Sequence, residues 1–195
     1  MTYAIIGSGN VGSALARRFA RSGIAVGIAN TRGPHTMEAL ERELEGYVTP
    51  LTLEDALDSD VIILAIPFRA HLDVARALEQ RHGKVIVDAM NTYGVPIEEL
   101  GGRPSTVVVA SAFSGASVVK AFNQLPAKLL ASEPVEHGGR RVMFVAGDEA
   151  SATAAVSKLI SDLGFAPIEL GSLNNAGTLI DRGGALVLQN LVKLG

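Results

Sequence analysis

The residues best placed to do chemistry stand near the start of the chain, in the run Gly7-Ser8-Gly9-Asn10-Val11-Gly12. The run follows an apolar stretch, Tyr3–Ile6, and precedes a helical pattern, which is the setting of a dinucleotide phosphate loop. Gly7 permits a tight turn, Gly9 lets a pyrophosphate approach the backbone, and Gly12 lets the helix pack closely on the strand. The helix start then offers free N–H groups and a partial positive charge to phosphate. In NAD-binding units an acidic residue stands about 20 residues beyond the glycines and bonds the ribose 2′-hydroxyl. That position here is Asn30, followed by Thr31 and Arg32, with His35 close behind. No carboxylate repels a 2′-phosphate, and a guanidinium can pair with one. His35 is either a further donor or a solvated loop residue. The residues therefore predict NADP(H) in preference to NAD(H).

Other candidates fall at the ends of later apolar runs. Ala65, Ile66 and Pro67 end one of them, and Phe68 follows, either as packing or as a cofactor contact. Asp88-Ala89-Met90-Asn91-Thr92 ends the next, a place suited to a nicotinamide. Asp88 is open to a catalytic reading and to a carboxylate that bonds nearby backbone amides. Lys120 inside an apolar run is either an edge charge or a structural ion pair, and Asn123 can bond a carboxamide or an acceptor ring. Met90, Asn91 and Asn123 are the acceptor-side candidates, and no catalytic residue is assigned. The chain has no Tyr-x-x-x-Lys pair and no HExxH helix, and His71, His82 and His137 lack an evident acidic partner. This pattern favours hydride transfer to a flavin-like ring over a reaction that needs a dedicated proton donor, because the cofactors then carry the chemistry.

The elements that must position these groups alternate between strand and helix. Predicted strands are Tyr3–Ile6, Ile24–Ala29, Tyr47–Thr49, Val61–Ile66, Lys84–Asp88, Ser117–Ala121, Arg141–Ala146 and Pro167–Leu170. The central ones are continuously apolar, as strands covered on both faces are. Predicted helices are Val11–Arg21, Thr36–Leu44, a short one capped by Thr52, His71–Arg81, and Glu149–Leu163 capped by Asp148. The expected fold is α/β, a doubly wound Rossmann-type and mainly parallel sheet of about eight strands with helices on both faces. Residues 1–172 form the expected NADP-binding domain. Residues 173–195 form an expected short helical tail, packed on the same domain or on a dimer partner. Gly94–Ser105 and Leu130–Arg140 read as loops.

Composition narrows the function classes. The chain has 195 residues, 48% of them hydrophobic and 19% charged, which suits one folded domain. The net charge of −3 without a basic tract excludes a nucleic-acid partner. The absence of cysteine removes disulfides, thiolate metal sites and cysteine nucleophiles, and no other metal site is expected. No apolar run approaches the roughly 20 residues of a membrane span, and no leader is expected before the first strand. A cytoplasmic location and no membrane partner are expected. The apolar run Gly184–Val192 suggests a homodimer contact or packing on the chain's own sheet.

The chain resembles the NADP-dependent oxidoreductases related to coenzyme F420 (deazaflavin):NADP reductase, and more distantly the reductase domain of the six-transmembrane metalloreductases. The resemblance lies in Gly7–Gly12, Asn30-Thr31-Arg32, Leu64-Ala65-Ile66-Pro67, and above all Val119-Lys120-Ala121-Phe122-Asn123. It implies Ser8, Asn10 and Val11 at the pyrophosphate, Thr31 and Arg32 at the 2′-phosphate, and Ile66 and Pro67 beside the adenosine half. It places the nicotinamide near Met90, Asn91 and Asn123. The implied function is hydride transfer between NADP(H) and a flavin, a deazaflavin or a small organic acceptor. Two alternatives stand beside it: an imine or carbonyl reductase completed by a partner chain, and a non-catalytic NADP-binding redox sensor. The segment Asp88–Tyr93 departs from the pattern of the deazaflavin reductases on the acceptor side.

Overall fold

A computed structural model describes all residues, 1–195. Strands β1 (Tyr3–Ile6), β2 (Val26–Ala29), β3 (Val48–Leu51), β4 (Val61–Leu64), β5 (Val85–Asp88) and β6 (Ser117–Lys120) are all parallel. Their spatial order is β6-β5-β4-β1-β2-β3, the doubly wound arrangement whose direction reverses beside β1. The sheet then continues through β8 (Gly139–Gly147), antiparallel to β6, and β9 (Ala166–Gly171), parallel to β8. Two short strands, β7 (Val135–Glu136) and β10 (Val192–Leu194), pair with the start of β8.

The apolar strands feed two cores. Ile5, Ile28, Ile63, Val87 and Val119 lie side by side in register and join one core with α1 (Asn10–Arg21) and α7 (Ala150–Asp162). The alternate residues Ile62, Ile86 and Val118 join a second core on the opposite face. That face is covered by α4 (His71–Ala77), α5 (Ser105–Ala112) and α8 (Gly177–Ile180). Each fully buried aliphatic side chain contributes about 1.5–3 kcal/mol, so apolar runs on both faces are what hold the strands central. The remaining helices, α2 (Glu38–Glu43), α3 (Leu53–Leu57) and α6 (Ala127–Ala131), are short. Thr52 caps α3 as expected, its hydroxyl accepting from the Asp55 N–H at 3.1 Å.

Several elements differ from the sequence expectation. The sheet has ten strands, not about eight. The hairpin that adds β7 turns through His137 and Gly138, both at positive φ, the two-residue turn whose twist matches paired strands. The tail beyond Leu173 is not mainly helical. Asp181, extended at ψ 160°, ends α8 after one turn, Gly183 at φ +86° and Leu188 at φ +64° follow in the irregular stretch beyond it, and the chain returns as β10. Arg141 donates to Asn190 at 2.8 Å, and the Val142 and Leu188 N–H groups bond Leu191 and Gln124 carbonyls, so the tail packs on its own sheet. Asp148 does not cap α7. Its carboxylate accepts the Leu173 N–H at 2.9 Å instead, and α7 starts without a side-chain cap.

Candidate functional site

The turn after β1 is built by two close approaches. A Cβ on Gly7, which sits at φ +110°, would enter the Ala65 carbonyl, and one on Gly12 would enter the Gly7 carbonyl. Gly9 is different, because a Cβ there would meet nothing within 4 Å. Its bare Cα faces open space. Helix α1 begins on Gly9 with no side-chain cap and no acidic residue in its first turn, so its leading N–H groups stay available. Arg18 and Arg21 occupy the last turn and suit the negative end of the same dipole.

Asn30 ties this loop to the turn after β2. Its amide nitrogen donates to Ser8 Oγ at 2.7 Å and to Thr36 Oγ1 at 3.0 Å, and its carbonyl accepts the Arg32 N–H at 2.8 Å. A short amide can bracket both sides in this way, whereas an aspartate could not donate to Ser8. The Arg32 side chain stands exposed, and it is absent from the arginines that form ion pairs, which are Arg17, Arg18, Arg21, Arg69, Arg76 and Arg141.

Gly7, Ser8, Gly9, Asn30, Thr31, Arg32, Ala65, Ile66 and Pro67 all line one cavity of about 460 Å³. Ile6 of β1 and four residues from later elements, Leu53, Ala70, Asp73 and Val74, complete its wall. These four carry no sequence signal, since α3 and the start of α4 reach the cavity only through the crossover geometry. The Asp73 carboxylate is turned to Arg76, 2.7 Å away. His35 is not part of the lining and lies against Gly33. On the other side of the glycine loop, Ser8, Gly9 and Asn10 border a second cavity of about 540 Å³ with Ser13, Arg17 and Lys128. Lys128 comes from α6, brought against α1 from far along the chain. Val11 and Gly12 line neither cavity. A third cavity, of about 540 Å³ between α3 and α4, carries Glu54, Asp58 and Glu79, a lining that repels phosphate.

The ends of β5 and β6 have the opposite character. Asp88 and Lys120 are fully buried neighbours in register, with Nζ 3.0 Å from Oδ2. Asp88 Oδ1 accepts the Met90 N–H at 3.0 Å, and Lys120 Nζ donates to the Met90 carbonyl at 2.7 Å. The backbone-bonding reading of Asp88 and the ion-pair reading of Lys120 both describe this arrangement. Met90 is 2% exposed and its side chain belongs to the second core, so only its peptide is at the edge. Phe68 is likewise buried in that core as packing. Asn91 and Asn123 face one another. Asn91 Nδ2 donates to the Asn123 carbonyl at 2.9 Å, and Asn123 Nδ2 donates to Asn91 Oδ1 at 3.1 Å and to the Ile180 carbonyl. The Asn123 side chain therefore has no N–H left to give an acceptor ring.

Beyond them, Arg182 donates to the Thr92 carbonyl at 3.1 Å and lies 5.1 Å from the centre of the Tyr93 ring. His71 is 2% exposed, with Nδ1 bonded to the Phe68 carbonyl, so it offers no accessible proton.

Residues 2–92 match the family model described as NADP oxidoreductase coenzyme F420-dependent. A hypothetical protein, SMa0349, from Sinorhizobium meliloti is 43% identical and superposes with a TM-score of 0.94 over 99% of this chain and 96% of that one. A putative F420 dependent NADP-reductase from Arthrobacter sp. FB24 is 26% identical, with a TM-score of 0.72 over 89% of this chain and 86% of its own. The rat metalloreductase STEAP3 is 33% identical over 174 residues, which are 88% of this chain. This chain spans about a third (34%) of that relative's length. No helix here is long and apolar enough to cross a membrane. The matched segment runs from β1 past the end of β5, and over it the chain is similar to the coenzyme F420-dependent NADP oxidoreductase family.

Proposed function

We propose that this chain binds NADP(H) across the carboxyl ends of β2, β1, β4, β5 and β6 and exchanges hydride between it and a hydride-accepting organic ring such as a flavin or deazaflavin. The observation that carries the reading is the exposed Arg32 guanidinium, free of any carboxylate, in the same cavity as the glycine loop. The fit is steric as well as electrostatic. Gly9 opens onto unfilled space, and the α1 N–H groups point out uncapped. A pyrophosphate fits there by accepting backbone N–H bonds. Thr31 and Arg32 hold the 2′-phosphate, and Asn30 orients their turn through Ser8 and Thr36. Ile66 and Pro67 cover the adenosine half, while Met90, Asn91 and Asn123 meet the nicotinamide. Val11 contributes through the helix backbone, since its side chain lines neither cavity.

The bound nicotinamide supplies the hydride. The residues around it supply orientation and little else. The charged groups at the β5–β6 edge are paired and sealed, and the exposed ones are Arg182 and the Tyr93 phenol. Such an edge suits an acceptor that takes a hydride without a proton relayed through the protein.

The test is NADPH oxidation, followed at saturating coenzyme, against a panel of oxidised flavins, a deazaflavin, a quinone and a cyclic imine. Turnover with flavin-type rings and none with the imine supports the reading. Turnover with the imine alone overturns the acceptor assignment, and saturable binding without any turnover makes the chain a binding module.

A further inference from the structure

We infer that the buried Asp88–Lys120 pair is a positioning device for the nicotinamide half of the coenzyme. The inference rests on the coenzyme placement proposed above. Neither residue can touch a ligand, because both side chains are wholly buried. Nor does stability explain them, since an apolar pair of similar volume generally serves a core as well or better. What the pair does hold is the backbone of one residue, on both of its sides. From β5, Asp88 Oδ1 fixes the Met90 N–H, and from β6, Lys120 Nζ fixes the Met90 carbonyl. Both polar atoms of that residue are set from two different strands.

The next residue is Asn91, and it is locked to Asn123 by reciprocal amide bonds. Asn123 is held from its own side as well. Phe122, fully buried, sits at φ +64°, a region that non-glycine residues seldom occupy, and a third bond ties Asn123 to the Ile180 carbonyl. After these bonds are made, the pair retains one uncommitted acceptor, Asn123 Oδ1, and one uncommitted donor, the second hydrogen of Asn91 Nδ2. A primary carboxamide needs one acceptor and one donor. The ion pair presets the backbone from which this complementary couple projects.

The experiment compares NADPH with 2′-phospho-ADP-ribose, which carries both phosphate groups of the adenosine side but no nicotinamide. The double variant Asp88→Leu/Lys120→Met removes both charges together and leaves no lone buried ion. It is expected to bind the fragment as the parent does, while its NADPH affinity falls about tenfold, the value of roughly one well-placed hydrogen bond. Equal retention or equal loss of both ligands would show a purely structural pair and overturn the inference. Failure of the parent to bind either ligand would instead overturn the coenzyme reading itself. A variant-free readout covers the case in which the double variant does not fold. In the ligand-free parent, the Met90 amide should exchange with solvent as slowly as the β5 core amides, and the Asn91 and Asn123 side-chain amide signals should shift with NADPH but not with the fragment. Fast exchange at Met90, or the same shifts with both ligands, would contradict a preset clamp.

Discussion

The two ends of the nucleotide groove are built on opposite principles. At the β1–β2 end, hydrogen-bonding capacity is left unspent: the α1 N–H groups are uncapped, Arg32 is unpaired, and Gly9 borders empty space. At the β5–β6 end, nearly every polar atom is already committed, from the Asp88–Lys120 pair to the Asn91–Asn123 amides. The first region is suited to recognition, since free charged donors gain most when a phosphate arrives. The second is suited to alignment, because a rigid and satisfied network loses little freedom when a ring docks on it. Substitutions in the two regions should therefore fail differently, the first in holding the phosphates and the second in stability or in placing the nicotinamide half.

The strongest break in that contrast is Gly9→Val. A Cβ there meets no protein atom and the backbone is at φ −74°, so thermal stability should hold within about 0.5 kcal/mol, as for surface substitutions away from special features. Binding of both NADPH and NADH should drop on the order of 100-fold or more, through loss of at least two charge-assisted bonds of about 1.5 kcal/mol each. Gly12→Val is the control that should unfold the region, since its Cβ collides with the Gly7 carbonyl. Calorimetric titration with thermal melts separates the two.

Arg32→Ala comes next. It should weaken NADPH by about 1.5–3 kcal/mol, leave NADH nearly unchanged, and leave the melting temperature unmoved. Equal loss for the two coenzymes would move the 2′-phosphate away from this turn. Asn123→Ala should instead weaken NADPH and NADH alike, through the nicotinamide half they share, and should lower stability. It strips the Asn91 and Ile180 partners and leaves buried acceptors unpaired, at about 1–3 kcal/mol, read as a lowered midpoint in urea.

The smallest effect lies outside both regions, at Asp60. The Thr2 N–H, 2.7 Å away, holds its carboxyl below the usual carboxylate range. A group more acidic in the folded chain than in the unfolded one stabilises above the unfolded pKa and ceases to do so as pH falls through the folded one. Asp60→Asn should therefore cost under about 1 kcal/mol at pH 7, the pair being exposed and screened, and nothing near pH 2. A melting difference that persists in acid would point to another cause.

Much of the recognition end was legible in the amino-acid string, because backbone demands select residue types there. Gly7 and Gly12 are required by collisions within a few residues or with one neighbouring strand, and the Asn30 turn is a local bracket. The alignment end was legible only as residue types. Asp88 and Lys120 were conspicuous, but that they close on the backbone of the same residue, Met90, depends on the register of β5 with β6. Met90 presents only its backbone at this edge, since its thioether belongs to the core. Lys128 gave no signal, because α6 meets α1 only in three dimensions. The run Thr106-Val107-Val108-Val109 is β-branched and gives no helical pattern. It nonetheless forms α5, whose Ser105 N–H and hydroxyl are held by Asp181, tertiary packing overriding local preference. The tail misled for the converse reason: a helix-favouring composition was broken at Asp181, which turns extended, and again at Gly183 and Leu188.

The central claim is that the β1–β2 edge selects a dinucleotide bearing a 2′-phosphate. Parallel calorimetric titrations of the unmodified protein with NADPH and NADH test it most directly. The account predicts saturable one-to-one binding of NADPH, at least about tenfold tighter than NADH, in line with one charge-assisted phosphate contact. Equal affinities, or no heat with NADPH, would contradict it.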